Sequence, residues 1–280
     1  MTDIIEKIGV IINDLHSNIS VDGSAAMAEK YVDLVNARNE MAVGYGHRNF
    51  LEMQVEKVHG IPKIDRAKYL IERDSFPKEY FPKIEMFSAY PHFLSKIPIL
   101  EIAFPADVYT LYKTFPEMKN IEKRINLVVE GDQSKFKYNT EIDGYSVTIA
   151  NTNHNQKIAM LIHELSHVFD QELRDHKIPS VYESERGAHK IEFEIAKSIS
   201  KEFLFADIRE YLICFVRTEF EQIIFEDPSQ AGPALFGKIL SKYFGVPKDK
   251  ESYLYLQDEK LIMKPFSDLS VAVALTNLLV

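Results

Sequence analysis

Two histidines and a glutamate form the most informative motif of the sequence, His163-Glu164-Leu165-Ser166-His167. On a helix, residues four positions apart share one face, so both imidazoles can reach one zinc ion. Glu164 lies about 100° further round the helix, beside the open coordination position. There it can take a proton from zinc-bound water and later deliver it to the leaving amine. The motif therefore predicts one zinc ion per chain, bound by His163 and His167, and a zinc peptidase with Glu164 as catalytic base and acid.

The surroundings of this motif favour a metal site over a chance match. Leu161-Ile162 and Val168-Phe169 are apolar on both sides of it, as expected of a helix buried beneath an active site. The motif also follows a predicted strand after a short connection. The alternative is a core helix that carries two unconnected histidines.

A catalytic zinc ion needs a third protein ligand and an open fourth position. No histidine follows His167 at the short, glycine-containing spacing of the three-histidine class, so we expect a carboxylate from a following helix. Glu185, Glu192 and Glu194 are the candidates. Spacing alone does not choose among them.

The pattern along the chain predicts a mainly α protein with a small antiparallel β-sheet. Residues 1–122 read mainly as helices, and the helical period returns from Asn155 to the C-terminus. Between them, Ile125–Val129 is rich in β-branched residues, and Tyr145–Ala150 alternates as a strand does after the Asp143-Gly144 turn signal. We predict an N-terminal helical lobe over 1–122 and a catalytic lobe with the sheet over 123–280, or one continuous domain.

The amino-acid composition limits the classes of partner that the protein can bind. The net charge of −9 argues against nucleic acid, because a phosphate-binding surface needs clustered Lys and Arg. No apolar stretch has the length of a membrane span. The first residues lack the unbroken apolar core of a secretory signal, and Cys214 is the lone cysteine. These features predict a cytoplasmic protein without membrane partners, and they leave the oligomeric state open.

Several segments resemble the thimet oligopeptidase and oligoendopeptidase F family of zinc metallopeptidases. Ala37-Arg-Asn-Glu-Met-Ala42 with Gly44-Tyr-Gly46 looks like an upstream signature of that family. Glu194-Ile-Ala-Lys-Ser198 resembles its glutamate-bearing motif. Residues 209–221 and 237–245 resemble the segments that follow.

The resemblance implies a fold, a ligand and a substrate. It implies a zincin-like catalytic core with a cleft between helical lobes, and it favours Glu194 as the third zinc ligand. It also implies that short peptides are hydrolysed and that an edge strand binds the peptide backbone by strand addition. Tyr145–Ala150 is the candidate strand, with Tyr145 and Val147 as substrate-binding residues.

Two departures from the family pattern bear on activity. The chain is much shorter than typical members. The segment Met263–Leu275 contains no His or Tyr, whereas the family carries there side chains that hold the substrate and its developing oxyanion. Tyr253, Tyr255 or His189 are the candidates to replace them. The alternative function is a zinc-binding pseudo-peptidase that acts as a peptide-binding or regulatory protein.

Overall fold

The computed structural model describes residues 2–17, 25–82, 92–141, 143–177, 179–245 and 253–280. The chain forms two compact units. Unit 1 comprises residues 1–91, 211–276 and 280, and unit 2 comprises residues 92–210 and 277–279. These units differ from the predicted division into 1–122 and 123–280, because residues 211–276 belong with the N-terminal helices.

Helices dominate both units, which confirms the predicted mainly α fold with a small sheet. The helices are α1 (Thr2–Ser17), α2 (Ala25–Gly44), α3 (Phe50–Gln54), α4 (Lys63–Glu72), α5 (Ala106–Tyr112), α6 (His154–Leu173), α7 (Val181–Ile199), α8 (Lys201–Glu210), α9 (Leu212–Glu226), α10 (Pro233–Phe244), α11 (Glu259–Met263) and α12 (Leu269–Leu279). The strands are β1 (Ile125–Val129), β2 (Lys135–Asn139) and β3 (Gly144–Ile149). Helix α3 continues directly into a π-helix at Val55–His59.

Unit 1 has an aromatic core between α2 and α9. Tyr31 and Leu34 of α2, three residues apart, are fully buried on one helix face. The ring of Tyr31 stacks on Phe220 of α9, with 6.3 Å between centroids. Arg217 on α9 adds charged contacts to the segment that contains α11 and α12, because its guanidinium bonds to Asp258 at 2.7 Å and to Asp268 at 2.8 Å. Helix α9 therefore connects the two stretches of chain that form this unit.

Unit 2 contains a three-stranded mixed sheet with the order β1-β3-β2. Strand β3 pairs in parallel with β1 and antiparallel with β2. The predicted small sheet is therefore present but mixed rather than antiparallel, and β2 was not predicted. Because β3 is hydrogen-bonded on both sides, it is the central strand and not the edge strand that was expected to bind peptide.

Helices α6 and α7 pack against each other in unit 2, and their starts are defined by side-chain caps. Asn153 caps α6 by accepting a hydrogen bond from the Gln156 backbone N–H. Ser180 and Glu183 form a capping box at the start of α7. Inside α7, Gly187 lies so close to Asp170 of α6 that a Cβ atom there would overlap the carboxylate. This close approach brings one face of α7 up to the histidines of α6.

Two further features concern the cysteine and the length of the apolar helices. Cys214 is buried on α9, where it is 6% exposed. Among the described residues, no helix combines the length and the apolarity that crossing a membrane requires.

Candidate metal centre

Helix α6 presents both motif histidines to one point. The two Nε2 atoms, of His163 and His167, lie 3.1 Å apart. The opposite face of the helix is anchored in the core, where Leu161, Ile162 and Leu165 are fully buried. Because Tyr112 of α5 also donates a hydrogen bond to the Ile162 carbonyl at 2.6 Å, the helix backbone under the motif is held in place.

Helix α7 brings Glu185 to the same point. One carboxylate oxygen of Glu185 lies 3.9 Å from Nε2 of His163, and the other lies 3.8 Å from Nε2 of His167. Ligand atoms around a tetrahedral zinc ion with bonds of about 2.0–2.1 Å are separated by about 3.3 Å. The three side chains thus have the donor types and nearly the separations that such an ion requires, and the residues fit a metal.

Outer contacts orient both imidazoles for this role. Nδ1 of His163 lies 3.0 Å from a carboxylate oxygen of Glu192, and Nδ1 of His167 lies 3.0 Å from the Ser184 hydroxyl. With hydrogen on each Nδ1, the rings donate to these oxygens and leave the Nε2 lone pairs directed at the common point. Such contacts are typical of the surroundings of metal-binding histidines.

A second possible set of metal ligands lies next to the first. Glu192 also accepts from Nδ1 of His189 at 2.7 Å, so one carboxylate joins His163 and His189. His163, His189 and Glu192 satisfy the distance requirements for a metal as well. His189 and Glu192 are, however, at most 1% exposed, whereas His163, His167 and Glu185 line an open pocket of about 460 Å³. Substrate access favours the group in the pocket.

The ionisable groups around this point strongly affect one another's charge. Burial lowers the pKa of His163, but the carboxylates of Glu192 and Glu185 outweigh burial and raise it to about 10. Burial, together with the charge on His163, lowers the pKa of His167 well below its usual value. Burial raises the pKa of Glu192, but His163 and His189 outweigh it and the net pKa is lowered. Glu192 is therefore an anionic carboxylate next to the histidine pair.

Glu164 lies at the same pocket and is largely shielded from water. It is 6% exposed and lines the pocket beside both histidines. Burial raises its pKa to about 7, with the charge of His163 opposing the shift. A carboxyl group that titrates near neutral pH is suited to both accept and return a proton.

The expected third ligand does not reach this point. Glu194 is exposed on α7, while the other two candidates, Glu185 and Glu192, face the histidines. The reason is helical phase: at about 100° per residue, position 194 lies about 180° round the helix from position 185. Glu185, one of the alternatives that spacing left open, is the glutamate that meets both Nε2 atoms.

The expected substrate-binding residues are not at the pocket. Tyr145 and Val147 are fully buried in the central strand β3. Tyr253 and Tyr255 belong to unit 1, where Tyr255 is fully buried against the rings of Tyr31, Phe220 and Phe236. Their role as contacts to substrate therefore has no support from their positions.

Two residues that the sequence analysis missed touch the histidine pair. Phe136 on β2 stacks on the ring of His167, with 4.9 Å between centroids and 11° between planes. Ser184 holds Nδ1 of the same histidine. The alternation Lys135-Phe-Lys-Tyr-Asn139 is a strand signal that could have indicated β2. For Ser184 the sequence offers no signal, because its role depends on how α7 packs on α6.

Comparisons with known proteins agree with this fold. No family model matches the sequence, and no curated protein does. Two solved structures are similar: "PZ peptidase A with inhibitor 2", with a TM-score of 0.63 and 16% identity, and a Bacillus anthracis str. Ames protein described as an oligoendopeptidase F, with a TM-score of 0.51 and 14% identity. The chain has the fold of these peptidases.

The match covers most of this chain but only about half of each similar structure. Each comparison covers 89% of this chain, but only 54% of the first structure and 52% of the second. The chain thus spans about half the length of these peptidases. The resemblance deduced from the sequence motifs is confirmed at the level of fold.

Proposed function

We propose that the chain is a zinc-dependent peptidase whose metal is held by His163, His167 and Glu185. The observation that carries the proposal is the convergence of two Nε2 atoms, 3.1 Å apart, and a bridging carboxylate at 3.8–3.9 Å in an open pocket. Two imidazoles and one glutamate form the ligand set of a well-known class of catalytic zinc sites. The fold shared with two peptidases supports the same reaction class.

Glu185 replaces Glu194 in this proposal as the third ligand. Its carboxylate faces both Nε2 atoms, while Glu194 points to solvent on the other side of α7. Glu192 is the remaining alternative, but it contacts Nδ1 of His163 rather than Nε2. We therefore assign Glu192 to the orientation of His163.

The chemistry follows from the position of Glu164. Zinc, when bound, makes a water molecule acidic and polarises the substrate carbonyl. Glu164, buried at the same pocket, takes the proton of the attacking water and passes it to the leaving amine. The adjoining carboxylate of Glu192 fixes the ring orientation of His163 through its contact with Nδ1.

The peptide substrate is proposed to bind along β2. This strand is at an edge of the described sheet, and Ser134, Lys135 and Phe136 at its start line the pocket that contains the histidines. Edge strands offer unpaired backbone N–H and C=O groups to an extended peptide. The strand-addition role expected for residues 145–150 thus moves to residues 135–139.

Replacing Glu164 tests the proposal. Zinc content and cleavage of a mixed peptide library are measured for the wild type, Glu164→Gln and the control Glu194→Gln. We expect one zinc ion per chain in all three, cleavage by the wild type and the control, and a loss of at least a hundredfold in Glu164→Gln. Cleavage that survives Glu164→Gln overturns the mechanism, and absence of stoichiometric zinc overturns the metal site.

A second function, a zinc-binding pseudo-peptidase, is favoured by one feature of the pocket. Among the described residues that line it, none is a tyrosine, so the usual phenolic donor to an oxyanion is missing there. Losing one such donor typically costs about 3–4 kcal/mol of transition-state stabilisation. Stoichiometric zinc with peptide binding and no cleavage of any library member would support this function. The cytoplasmic location remains a prediction.

A further inference from the structure

Unit 1 contains a cavity that the proposed peptidase function does not use. Its volume is about 400 Å³, within the range of about 300–1,000 Å³ that is usual for small-molecule sites. One wall is formed by Ile5, Ile8 and Ile12, which form a stripe along one side of α1. The other lining residues come from α2, α3, the π-helix after α3, the end of α11 and the segment that follows it. All lining residues belong to unit 1, whereas the candidate metal centre belongs to unit 2.

The charges at this cavity have one sign. Arg38 and Lys264 line it, and none of the described lining residues is Asp or Glu. The protein as a whole carries a net charge of −9, so a cavity with two cations and no carboxylate stands apart from the rest of the chain. Such a cavity is complementary to an anion.

Arg38 is a buried cation without a full set of partners. Its side chain is 4% exposed, and Nη2 donates to the Ile262 carbonyl, but Nη1 has no hydrogen-bond partner among the described residues. Glu221 is a nearby carboxyl group, and burial raises its pKa well above the usual value. Burial lowers the pKa of Arg38 to about 10, which still leaves the guanidinium charged. Arg38 therefore places a positive charge in the wall of the cavity.

The mouth of the cavity is apolar. Ile5, Val58 and Met263 line it and are 52%, 50% and 43% exposed, respectively. Val58 and the adjoining His59 lie in the π-helix that follows α3, a distortion that occurs often at binding sites. Exposed aliphatic side chains around a cationic cavity match a ligand with one charged end and an aliphatic body.

We propose that this cavity binds an aliphatic monocarboxylate, with the carboxylate against Arg38 and Lys264 and the chain along the isoleucine stripe of α1. The ligand class follows from the pairing of two cations with three isoleucines. The proposal does not rest on the peptidase function, because it concerns the other unit.

Titration calorimetry with the full chain tests the ligand class. Octanoate, octan-1-ol and octylammonium carry the same tail with a negative, a neutral and a positive head group. We expect octanoate to bind with one site per chain, at least tenfold more tightly than either of the others. Equal binding of the alcohol overturns the proposal because it removes the role of the cations. Failure of octanoate to bind at millimolar concentration overturns it as well.

Matched variants locate the site. Lys264→Gln is expected to weaken octanoate binding at least threefold, and Lys63→Gln, a change at another exposed lysine of unit 1, is expected to leave it unchanged. Arg38→Gln is expected to weaken binding at least tenfold in whatever fraction folds, as checked by circular dichroism. Met263→Glu places a negative charge at the mouth and is expected to weaken binding, while Ile71→Glu, at a residue 79% exposed, serves as its control. Equal effects of a variant and its control would show that octanoate binds elsewhere, and the proposal would fail.

Discussion

The carboxylate of Asp170 occupies the space that a Cβ atom on Gly187 would need. Asp170 is 8% exposed, and its Oδ2 accepts from Nε of Arg174 at 2.6 Å, so the carboxylate is fixed against α7. The contact sets the distance between α6, which carries the histidines, and α7, which carries Glu185. The spacing of the candidate metal ligands therefore depends on a glycine two residues from one of them.

Gly187→Ala should destabilise the protein despite the higher helix propensity of alanine. We expect a loss of about 1–3 kcal/mol in the free energy of unfolding, because overlap in a packed interface forces a shift of side chain or backbone. Urea denaturation measures this, and zinc titration should show weaker binding in the same variant.

In a protein that already carries Asp170→Ala, the change Gly187→Ala should have the opposite effect on stability. Without the carboxylate the overlap is gone, and the same glycine-to-alanine change should stabilise the helix by up to about 1 kcal/mol. If Gly187→Ala is equally destabilising in both backgrounds, the close contact is not what requires glycine.

Glu185 and Glu194 should differ sharply in their effect on zinc. Glu185→Gln removes a charged oxygen from the common point of the two Nε2 atoms, so we expect zinc affinity to fall at least a hundredfold. Glu194→Gln changes an exposed side chain on the far side of α7 and should alter the affinity less than threefold. Competition with a chromophoric chelator measures both. The reverse order would restore Glu194 as the third ligand.

Replacing Glu192 or Ser184 should lower the zinc affinity indirectly, through the histidines that these residues contact. Loss of a partner that orients a metal-binding histidine typically lowers metal affinity about 10–100-fold. We expect Glu192→Gln and Ser184→Ala to fall in this range, since the first weakens and the second removes the contact at one Nδ1. Ser198→Ala, at an exposed serine on the same helix, is the control. A change of less than twofold in both variants would mean that the imidazoles are oriented by packing alone.

The sequence was informative wherever the interaction is local. The spacing of His163 and His167 needs only a helix, and the helix is there. Residues 125–129 and 145–149 form strands as their β-branched and alternating patterns predicted. The starting point of α7 was also readable, because Ser180 and Glu183 have capping-box spacing.

What depends on packing between distant segments was not predictable in the same way. The order β1-β3-β2 places the predicted edge strand in the centre, and no local sequence pattern specifies which strands pair with each other. The choice among Glu185, Glu192 and Glu194 depends on which face of α7 meets α6. The spacing of Glu185, His189 and Glu192 at intervals of four and three residues did contain that information, since it places all three on one helix face.

Asp268 should make unit 1 sensitive to acid. Burial raises the pKa of this carboxyl group, but Lys260 and Arg217, each 2.8 Å from one of its oxygens, outweigh burial and the net pKa lies below the usual value. A carboxyl group whose pKa is lower in the folded state contributes stability that is complete above the unfolded-state pKa of about 3.9. That contribution is lost as the pH falls through the lower, folded-state pKa. We therefore expect the free energy of unfolding to fall below about pH 4.

Asp268→Asn isolates this contribution. Removing one partner from a buried ion pair typically costs about 3–5 kcal/mol, because the remaining charge is left without compensation. We expect a loss near the lower end of that range at pH 7, since Arg217 keeps Asp258 at 2.7 Å. The variant should also lose less additional stability than the wild type between pH 5 and pH 3, as urea denaturation at each pH would measure. If both proteins lose the same amount over this interval, other carboxylates are responsible for the acid sensitivity, because the asparagine cannot titrate.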